Sequence, residues 1–213
     1  MGTSSRLTTT TYAILGLLAL KPWTTYELAT QMGRAMNRFW PRAQSRIYDE
    51  PAKLVAAGLA KAVKDTVGRR PRTTYSITPK GRRALAEWLE VEGAPPELEF
   101  EALLKVFFGE HGDRAAMLRQ VAAARDWSRA RLDQDAEVVR GYLQDGGPFP
   151  DRLPVIVVTG KFLHDFAGLV HDWSTWAEKE IASWPDDITA AEPNRAVMEA
   201  VVEAARAVVA NDP

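Results

Sequence analysis

Between Ser45 and Arg83 the period of the sequence changes twice, and this constrains the fold more than any other feature. The stretch reads SRIYDEPAKLVAAGLAKAVKDTVGRRPRTTYSITPKGRR. Up to Gly58 the apolar residues Ile47, Leu54 and Val55 recur at helical spacing, predicting a helix over about residues 43–57. Its outward positions include Gln44, Ser45, Arg46, Asp49, Glu50 and Lys53. After Gly58 two runs rich in Val, Thr, Tyr and Ile, Leu59 to Lys64 and Thr73 to Ile77, favour strands. Gly68 and Pro71 supply a turn between them that carries Arg69, Arg70 and Arg72. Thr78 then caps a new helix with Pro79 at its first position. Helix, basic hairpin, helix is the sequence form of a winged helix-turn-helix, in which the helix enters the DNA major groove and the hairpin lies along the backbone.

The formal net charge of −1 conceals a split that fits this pattern. Up to Arg83 there are 15 Lys and Arg against 4 Asp and Glu, so the first part carries about +11 and the remainder about −12. Basic residues gathered in one half can neutralise phosphates and release counterions whatever the overall charge. The acidic half has no such affinity for DNA.

Upstream of the basic stretch, a helix is expected from about Thr10 to Leu20, stopped by Lys21 and Pro22. A second follows from about Tyr26 to Met36, with Thr24 or Thr25 as its cap and Leu28, Ala29 and Met32 as its buried stripe. Gly93-Ala94-Pro95-Pro96 is the one convincing linker, which sets domains at 1–92 and 93–213. Beyond it the chain reads as helices: Leu98 to Phe108, Asp113 to about Leu143, about Leu153 to Trp184, and a last one capped by Asn194. The third of these has the sharpest apolar stripe: Val155, Val158, Phe162, Phe166, Leu169, Val170, Trp173, Trp176 and Ala177. Helices this long with few others to pack on find part of their burial in a second chain, so a homodimer is expected. No apolar run reaches bilayer-spanning length and the N-terminus lacks signal-peptide character, which points to a soluble cytoplasmic protein without a membrane partner. The absence of cysteine excludes disulfides, thiolate metal sites and a cysteine nucleophile.

At this level the chain resembles the PadR-type transcriptional regulators. The resemblance lies in TYAILGLLAL and TTYELA, in FWPRAQSRIYDEPAKLVAAGLA, and in GRRPRTTYSITPKGRRAL, covering most of residues 9–90; EFEALLKVFFGE and the later helices fit more loosely. It implies a mainly α fold, with an N-terminal winged helix-turn-helix bearing a small β-hairpin wing and a C-terminal long-helix dimerisation domain. It also implies a dimeric, usually repressive regulator, some relatives of which sense phenolic or drug-like compounds. The chain departs from the commonest family pattern after Tyr48, where Asp49, Glu50 and Pro51 follow and Pro51 takes the position usually held by leucine. A proline so far into the expected helix would kink it. Glu50 pairs with Arg46 at i, i+4, or else a carboxylate accepts from cytosine N4.

The candidate DNA-binding residues are Thr25, Tyr26, Arg42, Gln44, Ser45, Arg46, Tyr48, Lys53, Arg69, Arg70 and Arg72. Arg42, Arg46 and Lys53 contact phosphates or bases, or simply form a solvated face; Tyr48 donates to a phosphate or sits half-buried in the core. Thr25 and Tyr26 offer a helix N-terminus to a phosphate, or serve only as a cap. Three arginines in a Gly/Pro turn have no structural use, which favours wing contact. GxSxG, HExxH and a phosphate-binding glycine loop are all missing, so no catalytic residue and no cofactor is assigned, and the reading is a non-enzyme. His164 and His171 in HDFAGLVHD would stand about 10.5 Å apart on one helix, too far for one metal within a chain. Trp127, Phe162, Phe166, Trp173 and Trp176 form a core or dimer seam, or else line a pocket for a planar hydrophobic effector. The expected function is a homodimer binding double-stranded DNA at a pseudo-palindromic operator as a repressor, relieved by such an effector. The alternative is a constitutive DNA-bound dimer, or a co-regulator whose C-terminal domain recruits a protein and senses nothing.

Overall fold

The computed structural model describes residues 7–41, 47–67 and 70–210, with the backbone only at Val67, Arg70, Pro71 and Val208. It is mainly helical and divides into two compact units, residues 1–96 and 97–213.

The first unit is built on α1 (Thr9–Leu20), whose composition, TTTYAILGLLAL, is apolar round most of its circumference. Such a helix has no solvent face and becomes the centre of the unit. Ile14, Leu15, Leu17 and Leu18 are buried, together with Leu28 and Met32 of α2 (Thr25–Ala35), Leu54 of α3 (Glu50–Ala56), and Ile47 and Leu59. Thr8 caps α1 through a reciprocal capping box with Thr11. Between α1 and α2, Trp23–Thr24 forms a short strand, β1, which the sequence patterns did not reveal. It pairs antiparallel with β3 (Arg70–Ile77), and β3 with β2 (Ala60–Val67), giving a sheet in the order β1-β3-β2. The Trp23 indole N–H donates to the Leu17 carbonyl at 2.7 Å and thereby holds the start of the sheet on α1.

The wing strands are longer than their β-propensity suggested. Val67 lies opposite Arg70 and Asp65 opposite Arg72, so Arg70, Pro71 and Arg72 belong to β3 and not to the turn. Ladder hydrogen bonds, which composition does not report, extend the hairpin through a proline and charged residues. Where α3 ends, Gly58 adopts φ +71, and the Gly58 and Leu59 amides close on the Val55 and Leu54 carbonyls. Thr78 ties this corner to α4 (Pro79–Leu89): its hydroxyl donates to the Gly58 carbonyl at 2.8 Å and accepts from the Gly81 amide at 3.0 Å.

In the second unit, α5 (Glu101–Phe107) precedes two long helices, α6 (Arg114–Asp145) and α7 (Leu153–Ala182), which pack against each other; α8 is Arg195–Ala210. Met117, Val121, Ala177 and Ile181 form a core, with Val106, Leu118, Trp173, Trp184 and Ile188 around it. Arg114 at the start of α6 donates to the Trp184 carbonyl and, at 2.7 Å, to Asp186, while Arg125 pairs with Glu178. The apolar stripe expected on α7 is two faces. Ala167, Val170, Ser174, Ala177 and Ile181 are buried, whereas Val155, Val158, Phe162, Leu169 and Trp176 are exposed. At about 100° per residue the two sets point roughly a third of a turn apart. The smaller side chains take the α6 side because they let two backbones approach, leaving the larger ones outside. By length and composition alone, Pro150–Ala182 is long and apolar enough to cross a membrane, which corrects the expectation that no such stretch exists. The stretch is apolar on average although isolated charges such as Lys161 and Asp165 interrupt it.

The packing of Gly81 yields a stability prediction. A Cβ there would collide with the Leu59 carbonyl oxygen and stand 2.9 Å from Ile77 Cγ1, whereas one at Gly16 would meet nothing within 4 Å. Gly81→Ala should lower the unfolding free energy by about 1–3 kcal/mol and Gly16→Ala raise it by about 0.5–1 kcal/mol, as measured by denaturant titration.

Candidate nucleic-acid interface

The pairing of Trp23 with Tyr75 and Thr24 with Thr74 brings the start of α2 against the middle of β3. Thr24, Thr25, Tyr26, Arg72, Thr73 and Tyr75 line a shallow depression of about 410 Å³ at this junction. Two candidates far apart in sequence, Tyr26 and Arg72, thus share one site. Tyr26 is 77% exposed, so its hydroxyl is available to an outside acceptor. Thr73 and Tyr75 were missed by sequence reasoning, which read them as strand formers; only β1 places them beside α2.

The helix N-terminus is already occupied in part. The Thr24 hydroxyl accepts from the Glu27 amide at 3.2 Å, and Glu27 Oε2 accepts from the Thr24 amide and hydroxyl at 2.7 Å each. These two bonds from Thr24, with help from the charges of Arg72 and Lys21, hold the Glu27 carboxyl below the usual carboxylate range. Arg72 lies 3.6 Å from Glu27. An exposed pair of this kind is worth little in stability, so the guanidinium can exchange it for a stronger anion.

The largest departure from the sequence reading lies before and within α3. The helix begins at Glu50, and residues 47–49 form a turn. Pro51 therefore sits in the first turn, where its missing N–H is not needed, and the expected mid-helix kink does not arise. Tyr48 is 68% exposed on the turn and not in the core. Glu50, expected to face outward, is only 2% exposed. Its Oε2 accepts from the Thr11 hydroxyl at 2.5 Å and its Oε1 from Lys53 Nζ at 2.6 Å. It cannot reach a cytosine from there, so of the two carboxylates only the exposed Asp49 keeps that option. The Thr11 bond is to a charged acceptor and is worth roughly 1.5–3 kcal/mol, which offsets part of the cost of burying the carboxylate.

Arg42, Gln44, Ser45, Arg46 and Arg69 lie outside the described residues, as does the side chain of Arg70; the expected Glu50–Arg46 pair lies there too. The exposed positions of α3 itself are Ala52, Lys53 and Ala56, which carry little base-reading chemistry. In the second unit the five aromatic candidates fall into separate contacts. Trp127 meets Phe166 edge to face at 6.5 Å, Trp173 meets Phe100 edge to face at 5.8 Å, and Phe162 and Trp176 face outward. His171 Nδ1 is 3.3 Å from the Ser128 hydroxyl and His164 Nδ1 is 4.0 Å from Asp135, so each histidine turns to its own partner on α6.

Residues 14–87 match the sequence profile of the Transcriptional regulator PadR-like family. Over 99 residues the chain is 29% identical to the negative transcriptional regulator PadR of Bacillus subtilis (strain 168). That stretch covers 46% of this chain and 54% of the relative, so it spans about half the relative's length. The crystal structure of Bacillus subtilis PadR in complex with operator DNA is similar with a TM-score of 0.69 and 21% identity, over 80% of this chain and 98% of that one. The same regulator in complex with p-coumaric acid gives a TM-score of 0.63 at 21% identity, over 81% of this chain and 98% of that one. At these identities the likeness speaks for the fold.

Thr24→Ala should destabilise the first unit by about 1 kcal/mol and let the Glu27 carboxyl rise towards its ordinary range, as read by thermal unfolding and by NMR titration. The sign follows from the lowered folded-state value. The Glu27 contribution is fully present above the ordinary carboxylate range and is lost as the pH falls through the lowered one.

Proposed function

We propose, on the match of residues 14–87 to the PadR-like family of transcriptional regulators, that the chain is a DNA-binding transcriptional repressor of the cytoplasm, acting as a homodimer and not as an enzyme. The observation that carries this reading is the depression where Tyr26, at the start of α2, and Arg72, on the wing, open on the same side of a strongly basic unit. A phosphate there would take a phenolic hydroxyl and a guanidinium together, and the arginine would release its exposed pairing with Glu27 to do so. Residues 1–92 bind DNA, with Thr25, Tyr26, Tyr48 and Arg72 on the backbone together with Arg69 and Arg70. Arg42, Gln44, Ser45 and Arg46, ahead of the short α3, supply base contacts. Residues 93–213 dimerise, supported by the exposed face of α7, where Val155, Phe162, Leu169 and Trp176 recur every seven residues as a partner helix requires. Two winged helices held in this way read the two halves of a pseudo-palindromic operator.

Relief by a planar hydrophobic effector is the finer part of the proposal. Its support is the binding of p-coumaric acid by Bacillus subtilis PadR and the aromatic content of α6 and α7. The edge-to-face packing of Trp127 on Phe166 and of Trp173 on Phe100 favours the alternative, a constitutive DNA-bound dimer or a co-regulator that senses nothing.

Log affinity for duplex DNA should fall linearly with log salt, and replacing Arg69, Arg70 and Arg72 by alanine should reduce the slope by about 0.9 per lost phosphate contact. An unchanged slope in the triple variant removes the wing from the interface. Hydroxycinnamic acids should quench tryptophan emission and weaken DNA binding at the same concentrations, since a ligand shifts an equilibrium only through unequal affinity for its two states. If both signals stay flat across a panel of planar aromatic acids, the constitutive reading replaces the sensing one.

A further inference from the structure

We propose that Glu50 sets the specificity of the DNA interface by subtraction: it holds the Lys53 ammonium on a buried, anchored carboxylate and so withholds one cation from sequence-independent phosphate binding. The inference rests on the DNA-binding reading above.

Lys53 lies on the outward side of α3 and is 59% exposed, which by position alone would make it a phosphate contact. Its Nζ nevertheless sits 2.6 Å from Glu50 Oε1, three residues back on the same helix. A surface glutamate in that position would swing with the lysine and offer a weak pairing. Glu50 cannot swing, because it is 2% exposed and its other oxygen accepts from Thr11 Oγ1 at 2.5 Å. The Thr11 hydroxyl has a single proton. With that proton on Glu50, its oxygen is left to accept from the Thr8 amide at 3.2 Å and from the Thr8 hydroxyl at 2.9 Å. The carboxylate is thus tied through Thr11 to the N-cap of α1. A phosphate that recruits Lys53 must strip one donor from a buried anion, a cost the Arg72 pair with its exposed partner does not impose. Base contacts made by neighbouring residues are untouched by this competition. Non-specific affinity therefore falls more than operator affinity, and the ratio between them rises.

Glu50→Gln keeps the shape of the side chain but loses the charge and one acceptor oxygen, so it releases Lys53. Binding of the full-length protein to a fluorescein-labelled duplex of random sequence, followed by anisotropy across a salt series, should show the Glu50→Gln slope steeper than wild type by about 0.9. Adding Lys53→Gln should abolish that gain, while Lys53→Gln in the wild-type background should change the slope by less than half as much. For a duplex selected by the wild type from a random pool, the affinity ratio to the random duplex should fall in Glu50→Gln. A Glu50→Gln variant that loses thermal stability with an unchanged slope overturns the proposal, since a purely structural carboxylate would behave so. If Glu50→Gln does not fold, Lys53→Gln alone decides: a flattening of about 0.9 in the wild-type background overturns it, and a small change upholds it. A wild-type protein without salt-dependent duplex affinity removes the DNA-binding reading and this one with it, an outcome distinct from a normal wild-type slope that Glu50→Gln leaves unaltered.

Discussion

The candidate interface depends on two residue pairs, Trp23 with Tyr75 and Thr24 with Thr74. Without this pairing the wing would be a two-stranded hairpin, which is marginal by itself, and α2 would have no fixed position beside it. With it, one residue serves three ends at once: Thr24 closes the sheet, caps α2, and draws in the Glu27 carboxylate that meets Arg72. The indole of Trp23 anchors the arrangement to a backbone carbonyl of the apolar helix at the centre of the unit. The geometry of Tyr26 relative to Arg72 follows from these few bonds.

A second constraint acts on α3. Its first turn carries a buried charge and a proline, two features that would be faults in the middle of a helix. At the start of the helix both are useful. The proline gives up an amide that no intrahelical partner requires, and the carboxylate stands near the positive end of the helix dipole while tying α3 to α1. The consequence is a short helix whose exposed face is mostly alanine.

The second unit solves a different problem. Two helices of 32 and 30 residues pack through small side chains, which brings their backbones close and leaves large apolar side chains of α7 on the outside. A hairpin built in this way buries only part of its apolar surface within one chain. That fits a role in association, and it leaves aromatic rings available for packing on each other.

Elements whose signals are local are legible in the sequence. Thr78 and Asn194 cap helix starts, Thr24 is one of the two caps expected for α2, the change of period after Gly58 located the wing, and Gly58 itself could end α3 because it adopts a left-handed φ at no steric cost. The charge split and the arginines near the wing were likewise legible, since charge is carried by composition. Features that rest on long-range pairing emerge in the fold alone: Trp23 and Thr24 form a strand, Arg72 lies within the ladder and faces Glu27, Glu50 turns inward to Thr11, and the α7 stripe divides into two faces. A two-residue strand has no periodicity to detect. A glutamate reads as solvent-facing until a donor 39 residues away is brought to it, and only packing against α6 selects which side of an apolar helix is covered.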